Sequence, residues 1–274
     1  MDPAGPVGAG DAQILLDAVL VMLAIVIPTL GLALWAAWRY RASNTKARYL
    51  PTWSFDGRIE AVVWSIPILT IMFLAGLIWI GSTNLDPFKP LPSKEPPLEV
   101  QVVALDWKWL FIYPQQNVAA VNQLVIPAGR PVHFQITSAS VFDGFFVPRL
   151  GSMIYAMPGM VSQLNLQADR PGEFMGESSQ FSGDGFSDMQ FQVKSVAPAD
   201  FDAWTHAAVG SGQMLDAPAY QTLAKPSQAV APYTYRGVAP GLFQDIASQK
   251  TGPAPGPAAQ GAHAGREVSK SGDH

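Results

Sequence analysis

In LEVQVVA, residues 98–104, the apolar Leu98, Val100 and Val102 alternate with the polar Glu99 and Gln101. A period of two places the apolar residues on one face of an extended chain, so this stretch predicts a half-buried β-strand. The same alternation recurs in VHFQIT (132–137), QLNLQAD (163–169) and MQFQVKS (189–195). Several such strands at short spacing, separated by turn sequences such as IPAGRP and ADRPGE, are typical of a β-sandwich. We therefore expect one compact sandwich over residues 98–197.

Two uncharged runs precede the predicted sandwich, Ala18–Trp38 and Ala61–Leu85. Each is long enough to cross a hydrocarbon core, which takes about 20 helical residues. Backbone groups at that depth must be paired internally, so both runs should be helices, adjusted near Pro28 and Pro67. The sequence thus predicts a membrane-anchored α+β protein with a helical hairpin over residues 13–85. A signal peptide is the alternative for the first run, but a basic start and a small-residue cleavage pattern are missing.

The connecting loop, residues 39–59, carries a cluster of basic residues, whereas no Lys or Arg precedes residue 39. Loops rich in Lys and Arg stay in the cytoplasm. We therefore expect a cytoplasmic loop, with both termini and a short N-terminal segment (1–12) on the outer side of the membrane.

The segments that flank the sandwich have a different composition. Residues 86–97, DPFKPLPSKEPP, form a proline-rich linker. Residues 198–245 contain the helical pattern FDAWTHAAV and many aromatic side chains, so this C-terminal segment should pack on the sandwich or on a partner. Residues 246–274 contain few large apolar groups, and we expect a disordered tail.

Composition excludes several classes of function. The net charge is −4 and the basic residues form no dense stripe, which argues against nucleic-acid binding. The chain has no cysteine, so disulfides, zinc–thiolate sites, iron–sulfur clusters and thiolate catalysis are all excluded. A nucleophile-elbow pattern for a hydrolase is also missing.

Five long strings occur in an order that resembles subunit II of the haem-copper terminal oxidases. They are WRYRASN, IEAVVWSIPIL, LDWKWLFIYP, FFVPRLGSMIYAMPGM and RPGEFMGESSQFSGDGFSDMQF. The resemblance implies that the sandwich is a cupredoxin-like domain. In the cytochrome c oxidase branch of this family, that domain carries a dinuclear copper centre that accepts electrons from cytochrome c.

The copper ligands of that branch follow a pattern of a His before Val-Pro, then Cys-Ser-Glu-x-Cys-Gly-x-x-His-x-x-Met. Copper of this kind requires thiolate and imidazole ligands. In this chain the corresponding positions are Asp143, Ser178, Gln180, Ser182, Phe186 and Met189. Only Met189 is retained among the side-chain ligands, so we expect degenerate ligand positions and no metal. Asp143 as one ligand of a hard-cation site is the alternative, but such sites need several ordered oxygens.

Loss of these ligands together resembles the quinol oxidase branch, the cytochrome bo type. That resemblance implies a proton-pumping complex that oxidises ubiquinol and reduces dioxygen to water in the respiratory chain of a bacterial inner membrane. It also implies that haems and copper reside in subunit I, with smaller polytopic subunits as further partners. This chain would then bind no cofactor and hold no catalytic residue. An independent membrane-tethered cupredoxin-like module, acting in binding or assembly, is the alternative function.

Single residues add further expectations. The Glu-x-x-x-Trp-x-x-Pro stretch places Glu60 at the start of the second helix, where a carboxylate suits the helix dipole. In the family it resembles, that Glu lies at the entrance of a proton path shared with subunit I, so Glu60 is the candidate for proton entry. Asp17 is interpreted as a polar boundary residue. Arg149 and Asp143 are candidates for polar contacts with subunit I.

Four aromatic residues alternate at the start of the sandwich: Trp107, Trp109, Phe111 and Tyr113. We expect them on one side of a single strand, packed in the core or at a subunit interface. His133 should lie on a sheet surface, and neither it nor the His residues of the C-terminal part are expected to bind metal or haem.

The N-terminus departs from the family pattern. Members of the bo type usually begin with a lipoprotein signal that ends in a Cys, shortly before a Leu-Asp-Pro-like sequence, whereas here Met1 directly precedes Asp2-Pro3. Either the true start lies upstream, or the chain lacks the lipid anchor. Acylation of a cysteine is excluded for the sequence as it stands.

Overall fold

The structure is a computed structural model that describes residues 2–48 and 50–251. It contains two compact units. One is helical and comprises residues 10–86, and the other comprises residues 2–9 together with residues 87–251.

The helical unit is built from α1 (Pro6–Arg39) and α2 (Gly57–Asn84). Their apolar windows have mean hydropathies of 2.5 and 2.3 and are not buried within the chain, so both helices can cross a membrane. Asp56 caps α2 by accepting the backbone N–H of Arg58 at 2.9 Å. The first helix begins earlier than the predicted hairpin boundary at residue 13. Its start at Pro6 suits proline, which has no N–H to leave unpaired in a first helical turn.

The second unit is a sandwich of two sheets, as predicted. The six-stranded sheet has the order β12-β3-β2-β1-β5-β8, and the five-stranded sheet has the order β4-β10-β9-β6-β7. Strand β1 pairs antiparallel with β2 and parallel with β5. The strand bounds are β1 Leu98–Leu105, β2 Lys108–Tyr113, β3 Val118–Val121, β4 Gln123–Pro127, β5 Val132–Ser138, β6 Asp143–Phe146, β7 Ile154–Ala156, β8 Ser162–Leu166, β9 Gly172–Ser178, β10 Gln190–Val196 and β12 Tyr233–Tyr235.

Aromatic side chains fill the space between the two sheets. Trp109 and Phe111 from β2 lie against Phe191, with ring centroids 5.6 and 5.0 Å apart. Phe145 stacks on Phe191 at 5.3 Å. Tyr113 closes one side of this core, where its hydroxyl donates to the carbonyl oxygen of Val125 at 2.9 Å. Core packing, rather than an interface, is therefore the position of these β2 aromatics.

Trp107 is buried in the same core, but the expectation that it shares a strand with the other three aromatics is wrong. It lies in the two-residue turn between β1 and β2, with a φ of 64°. A tryptophan in this left-handed region is strained. Its ring is held by a hydrogen bond from Nε1 to the carbonyl oxygen of Ser182 at 3.0 Å.

Most of the C-terminal segment covers the other face of the six-stranded sheet, and its first helix contributes Phe201 to the core between the sheets. This confirms that the segment packs on the sandwich. It contains α3 (Pro198–Val209), α4 (Ala217–Leu223), α5 (Leu242–Ala247) and the short pair β11 (Met214–Leu215) and β13 (Gly237–Val238). Tyr220, Phe243 and Ile246 pack against Leu110 and Ile112 of β2. Both faces of β2 are therefore buried.

Helix α5 ends at Ala247, with Ile246 and Ala247 buried, so the helix continues past the predicted boundary of the tail at residue 246. The part of the predicted tail from residue 252 onward lies outside the described residues, as do His263 and His274. His133 is half-buried in β5, with Nδ1 3.0 Å from Oδ1 of Asn165.

Candidate functional site

The predicted ligand positions converge at one end of the sandwich. Asp143 begins β6, Ser178 ends β9, and the chain then makes a loop, residues 179–189, that returns to β10 at Met189. The loop contains a single 3-10 turn at Phe186–Asp188 and is closed by a hydrogen bond from the Ser178 N–H to the Met189 carbonyl oxygen at 3.1 Å. We call Asp143, Ser178, Ser182 and Met189 the clasp, since their side chains meet here.

The polar groups of the clasp are satisfied by one another. The Ser178 hydroxyl lies 2.8 Å from Oδ1 of Asp143 and 3.1 Å from the carbonyl oxygen of Gln180. Ser182 Oγ lies 3.6 Å from the sulfur of Met189. All four side chains are buried, and Asp143 is only 1% exposed.

Trp107 holds the loop of residues 179–189 in place through contacts with Ser182 and Gly185. Besides its hydrogen bond to Ser182, its ring lies where a side chain at position 185 would be, because a Cβ at Gly185 would come within 2.4 Å of the indole. Only glycine allows this approach. Sequence reasoning placed Trp107 in the core or at a subunit interface but missed its role in holding the loop. The available signal was the Gly-rich stretch around Gly185.

Burial raises the pKa of Asp143 from 3.8 to about 7. Removal of the carboxyl from water is the main cause, hydrogen bonds from Ser178 and Ser182 oppose the rise, and the nearby carboxyl of Asp106 adds to it. When Asp143 is protonated, its O–H can donate a hydrogen bond within the clasp, whereas the carboxylate can only accept hydrogen bonds. The clasp therefore keeps the proton of Asp143 to a higher pH than an exposed carboxyl would.

A second buried polar cluster, missed by sequence reasoning, lies beside the clasp. Lys108 Nζ donates to Ser227 Oγ at 2.7 Å, to the Lys225 carbonyl oxygen at 2.8 Å and to the Asp106 carbonyl oxygen at 3.2 Å. Asp106 accepts from Ser140. Burial lowers the pKa of Lys108 to about 8, although the Asp106 charge opposes this. The available signal was the alternation of Lys108 with Trp109 along β2, which puts the lysine side chain on the face opposite the aromatic core.

The donor chemistry of the clasp does not fit the dinuclear copper centre. It offers a thioether, two hydroxyls and one carboxyl, and hydroxyls do not replace the bridging thiolates that hold soft copper. Gln180 contributes only its carbonyl oxygen, and the half-buried Phe186 packs on Phe181 with centroids 5.7 Å apart. Among the described residues, no cluster of three His, Cys, Asp or Glu side chains is present that could hold a metal ion.

Asp143 and Arg149 were both predicted to make polar contacts with subunit I, and the structure treats the two residues differently. Asp143 is too buried to contact another subunit, so that expectation is wrong. Arg149 is partly exposed but already occupied, because it forms an ion pair with Asp2 and lies over the ring of Phe174 at 5.0 Å.

Glu60 lies in the helical unit, in the first turn of α2. Its Oε2 accepts a hydrogen bond from Nε1 of Trp64 at 3.1 Å, one helical turn onward, so the Glu and Trp of the predicted stretch share a helix face. Both side chains are exposed on the isolated chain.

Family models match two parts of the chain. "Cytochrome C oxidase subunit II, periplasmic domain" matches residues 98–196, and "COX Aromatic Rich Motif" matches residues 210–253. The first match spans the sandwich, and the second spans most of the C-terminal segment.

Curated relatives match nearly the whole chain. Ubiquinol oxidase subunit 2 of Acetobacter aceti is 48% identical over 91% of this chain and 81% of its own length. Cytochrome bo(3) ubiquinol oxidase subunit 2 of Pseudomonas aeruginosa is 44% identical over 97% of this chain and 81% of its own length. Among solved structures, the periplasmic domain of subunit II of cytochrome oxidase from Bradyrhizobium japonicum is 22% identical, with a TM-score of 0.40 over 41% of this chain and 94% of that chain.

The relatives support an oxidase subunit over an independent cupredoxin-like module. Identity of this level, over this share of both chains, together with the two membrane-type helices and the sandwich, defines the family. The chain belongs to the ubiquinol oxidase subunit 2 family and is a membrane-anchored subunit of such an oxidase.

Proposed function

We propose that this chain serves its complex as a frame and as one wall of a proton entrance, without carrying electrons. The clasp supports this most directly. Its hydroxyl and carboxyl groups are buried and engaged with one another, and they lack the ligand softness that a copper relay demands. A chain without a relay has no redox step of its own.

Electrons must then reach the oxygen-reducing centre by another route. The names of the relatives specify ubiquinol as the substrate of those oxidases. Quinol is a membrane-dissolved donor, so it can deliver electrons within the bilayer to a partner subunit and bypass the outer domain. We place the haems and copper in that partner, subunit I, and smaller polytopic subunits beside it.

Glu60 is the candidate for proton entry. It lies at the N-terminal end of α2, where the free backbone N–H groups favour a carboxylate, and Trp64 holds one of its oxygens. The basic loop before α2 favours a cytoplasmic position for this end. The complex would then take up protons from the cytoplasm, with both chain termini on the periplasmic side of a bacterial inner membrane.

Purification of the complex through a tag on this chain tests the proposal. A polytopic haem protein should copurify, and the preparation should consume oxygen when supplied with ubiquinol but not with reduced cytochrome c. Oxygen uptake with cytochrome c as the donor would contradict the proposal, because that reaction requires a relay on the outer domain.

A further inference from the structure

The two helices of the helical unit enclose a groove near the start of α1 and the end of α2. The groove has a volume of about 600 Å³. Its wall is apolar and comes from α2, where Met72, Phe73, Leu77 and Ile80 line it. We call this feature the hairpin groove. Its volume lies within the range of natural small-molecule sites.

Glycines determine where the groove opens. At Gly81 the helices touch, since a Cβ there would come within 2.6 Å of the Ile14 side chain. At Gly76 they do not, and a Cβ would meet no atom within 4 Å. The open space at Gly76 therefore results from missing side-chain volume next to a close helix contact.

The rim of the groove is polar and carries one charge. Gln13, Asp17 and Asn84 line it, and Gln13 Nε2 donates to Oδ1 of Asp17 at 2.9 Å. Residues 1–38 and 59–88 contain no Lys or Arg, so the sequence supplies no basic side chain from either helix near this carboxylate. A carboxylate at the edge of a membrane run, with no basic side chain of its own helices nearby, attracts a cation from the surroundings.

We propose that the hairpin groove binds a phospholipid whose head group carries a primary ammonium, the chemistry of phosphatidylethanolamine. An acyl chain lies against Met72, Phe73 and Leu77, and the ammonium donates to the Asp17 carboxylate. Charge complementarity selects this ligand. An anionic phospholipid would bring its charge to a carboxylate, and a choline head group has a positive charge but no N–H to donate.

The inference requires only that the helices span a bilayer, and it is independent of the clasp and of Glu60. It is tested on the complex purified through this chain, after delipidation, by native mass spectrometry with added dioleoylphosphatidylethanolamine. Dioleoylphosphatidylcholine and dioleoylphosphatidylglycerol serve as comparison lipids. We expect the ethanolamine lipid to bind this subunit most tightly and the glycerol lipid least.

Two variants locate the site. Asp17→Asn keeps an oxygen for Gln13 but removes the charge, so binding of the ethanolamine lipid should weaken about tenfold. Gly76→Leu fills the groove and should abolish binding. Gly31→Leu is the matched control, because Gly31 is also a helical glycine with no atom within 4 Å of an added Cβ and does not line the groove.

Three results would overturn the inference. Equal binding of the ethanolamine and glycerol lipids would remove the role of Asp17. Equal effects of Gly76→Leu and Gly31→Leu would show that the groove is not the site. Loss of a protein subunit in Gly76→Leu, with no ethanolamine lipid on the wild-type chain, would show that a partner helix fills the groove instead. None of these results depends on quinol-driven oxygen uptake, so the proposed function is tested separately.

Discussion

Ser178 and Asp143 face each other where β9 ends and β6 begins, with the serine hydroxyl 2.8 Å from the carboxyl oxygen. In the copper-bearing branch of the family, these positions hold a thiolate and an imidazole. Here the two positions bring together a hydroxyl and a carboxyl that satisfy each other. The relationship leads to predictions about the pH dependence of stability and about metal uptake.

The sandwich should lose stability as the pH rises from about 4 to 7. The native state holds the proton of Asp143 up to a pKa of about 7, whereas the unfolded chain releases it near 3.8, so the native state binds more protons in this window. The loss is on the order of 4 kcal/mol and ends above the native pKa. Urea denaturation of the full chain, followed by tryptophan fluorescence, measures it. Asp143→Asn should flatten the curve, and an unchanged slope in that variant would refute the assignment.

Restoring soft ligands should restore a copper site. The combined substitutions Asp143→His, Ser178→Cys, Ser182→Cys and Phe186→His supply thiolates and imidazoles, with Met189 already in place. Added copper should then give an intense visible absorption from thiolate–copper charge transfer. The control carries only the two His substitutions and should show no such band. A folded quadruple variant that remains colourless would mean that the loop no longer has the geometry of a copper site.

Proton delivery should depend on Glu60. Glu60→Gln removes the titratable group while keeping the partner of Trp64, and it should slow quinol-driven oxygen uptake roughly tenfold. Glu60→Asp should retain more activity because it keeps a carboxylate. Glu95→Gln, in the linker, is the control and should behave as the wild type. If Glu60→Gln turns over at the wild-type rate, protons enter elsewhere.

The C-terminal segment should be held less firmly on the sandwich when Asn122 is altered. Asn122 accepts the backbone N–H of Trp109 at 2.8 Å and donates to the carbonyl oxygen of Val230 at 2.8 Å, and it does so at a φ of 52°. Asn122→Ala loses both bonds in a backbone region that alanine disfavours, so the free energy of unfolding should fall by about 2–3 kcal/mol.

Asn122→Gly separates the two causes. Glycine relieves the backbone strain but still lacks the hydrogen bonds, so it should be less destabilised than the alanine variant and less stable than the wild type. Hydrogen exchange should show faster exchange around Val230 in both variants. Unchanged exchange there would mean that Asn122 does not anchor the segment.

Periodicity was sufficient to predict the sandwich, because LEVQVVA and its counterparts alternate as strands with one dry face must. It misled at Trp107, since a two-residue turn between β1 and β2 interrupts the alternation without any glycine or proline to mark it. Period-two reasoning also expected polar faces, whereas the C-terminal segment buries the second face of β2. That contact joins residues far apart in sequence, so no local pattern reports it.

The residues of the clasp could be predicted from the sequence, but the pKa of Asp143 could not. The ligand positions followed from the family resemblance, and the structure does bring Asp143, Ser178, Ser182 and Met189 together. The raised pKa of Asp143 depends on burial and on the nearby Asp106 carboxyl, which are properties of the folded domain. Lys108 was missed for a similar reason, because its acceptors come from residues 225 and 227.

The copper-to-haem ratio of the purified, active complex tests most directly whether the outer domain has given up electron relay. Elemental analysis alongside haem quantitation should find about one copper ion for every two haems, all of it retained when Met189 is replaced by Leu. More copper than haem, with the excess lost on Met189→Leu, would contradict this account, since the excess would reside in the clasp.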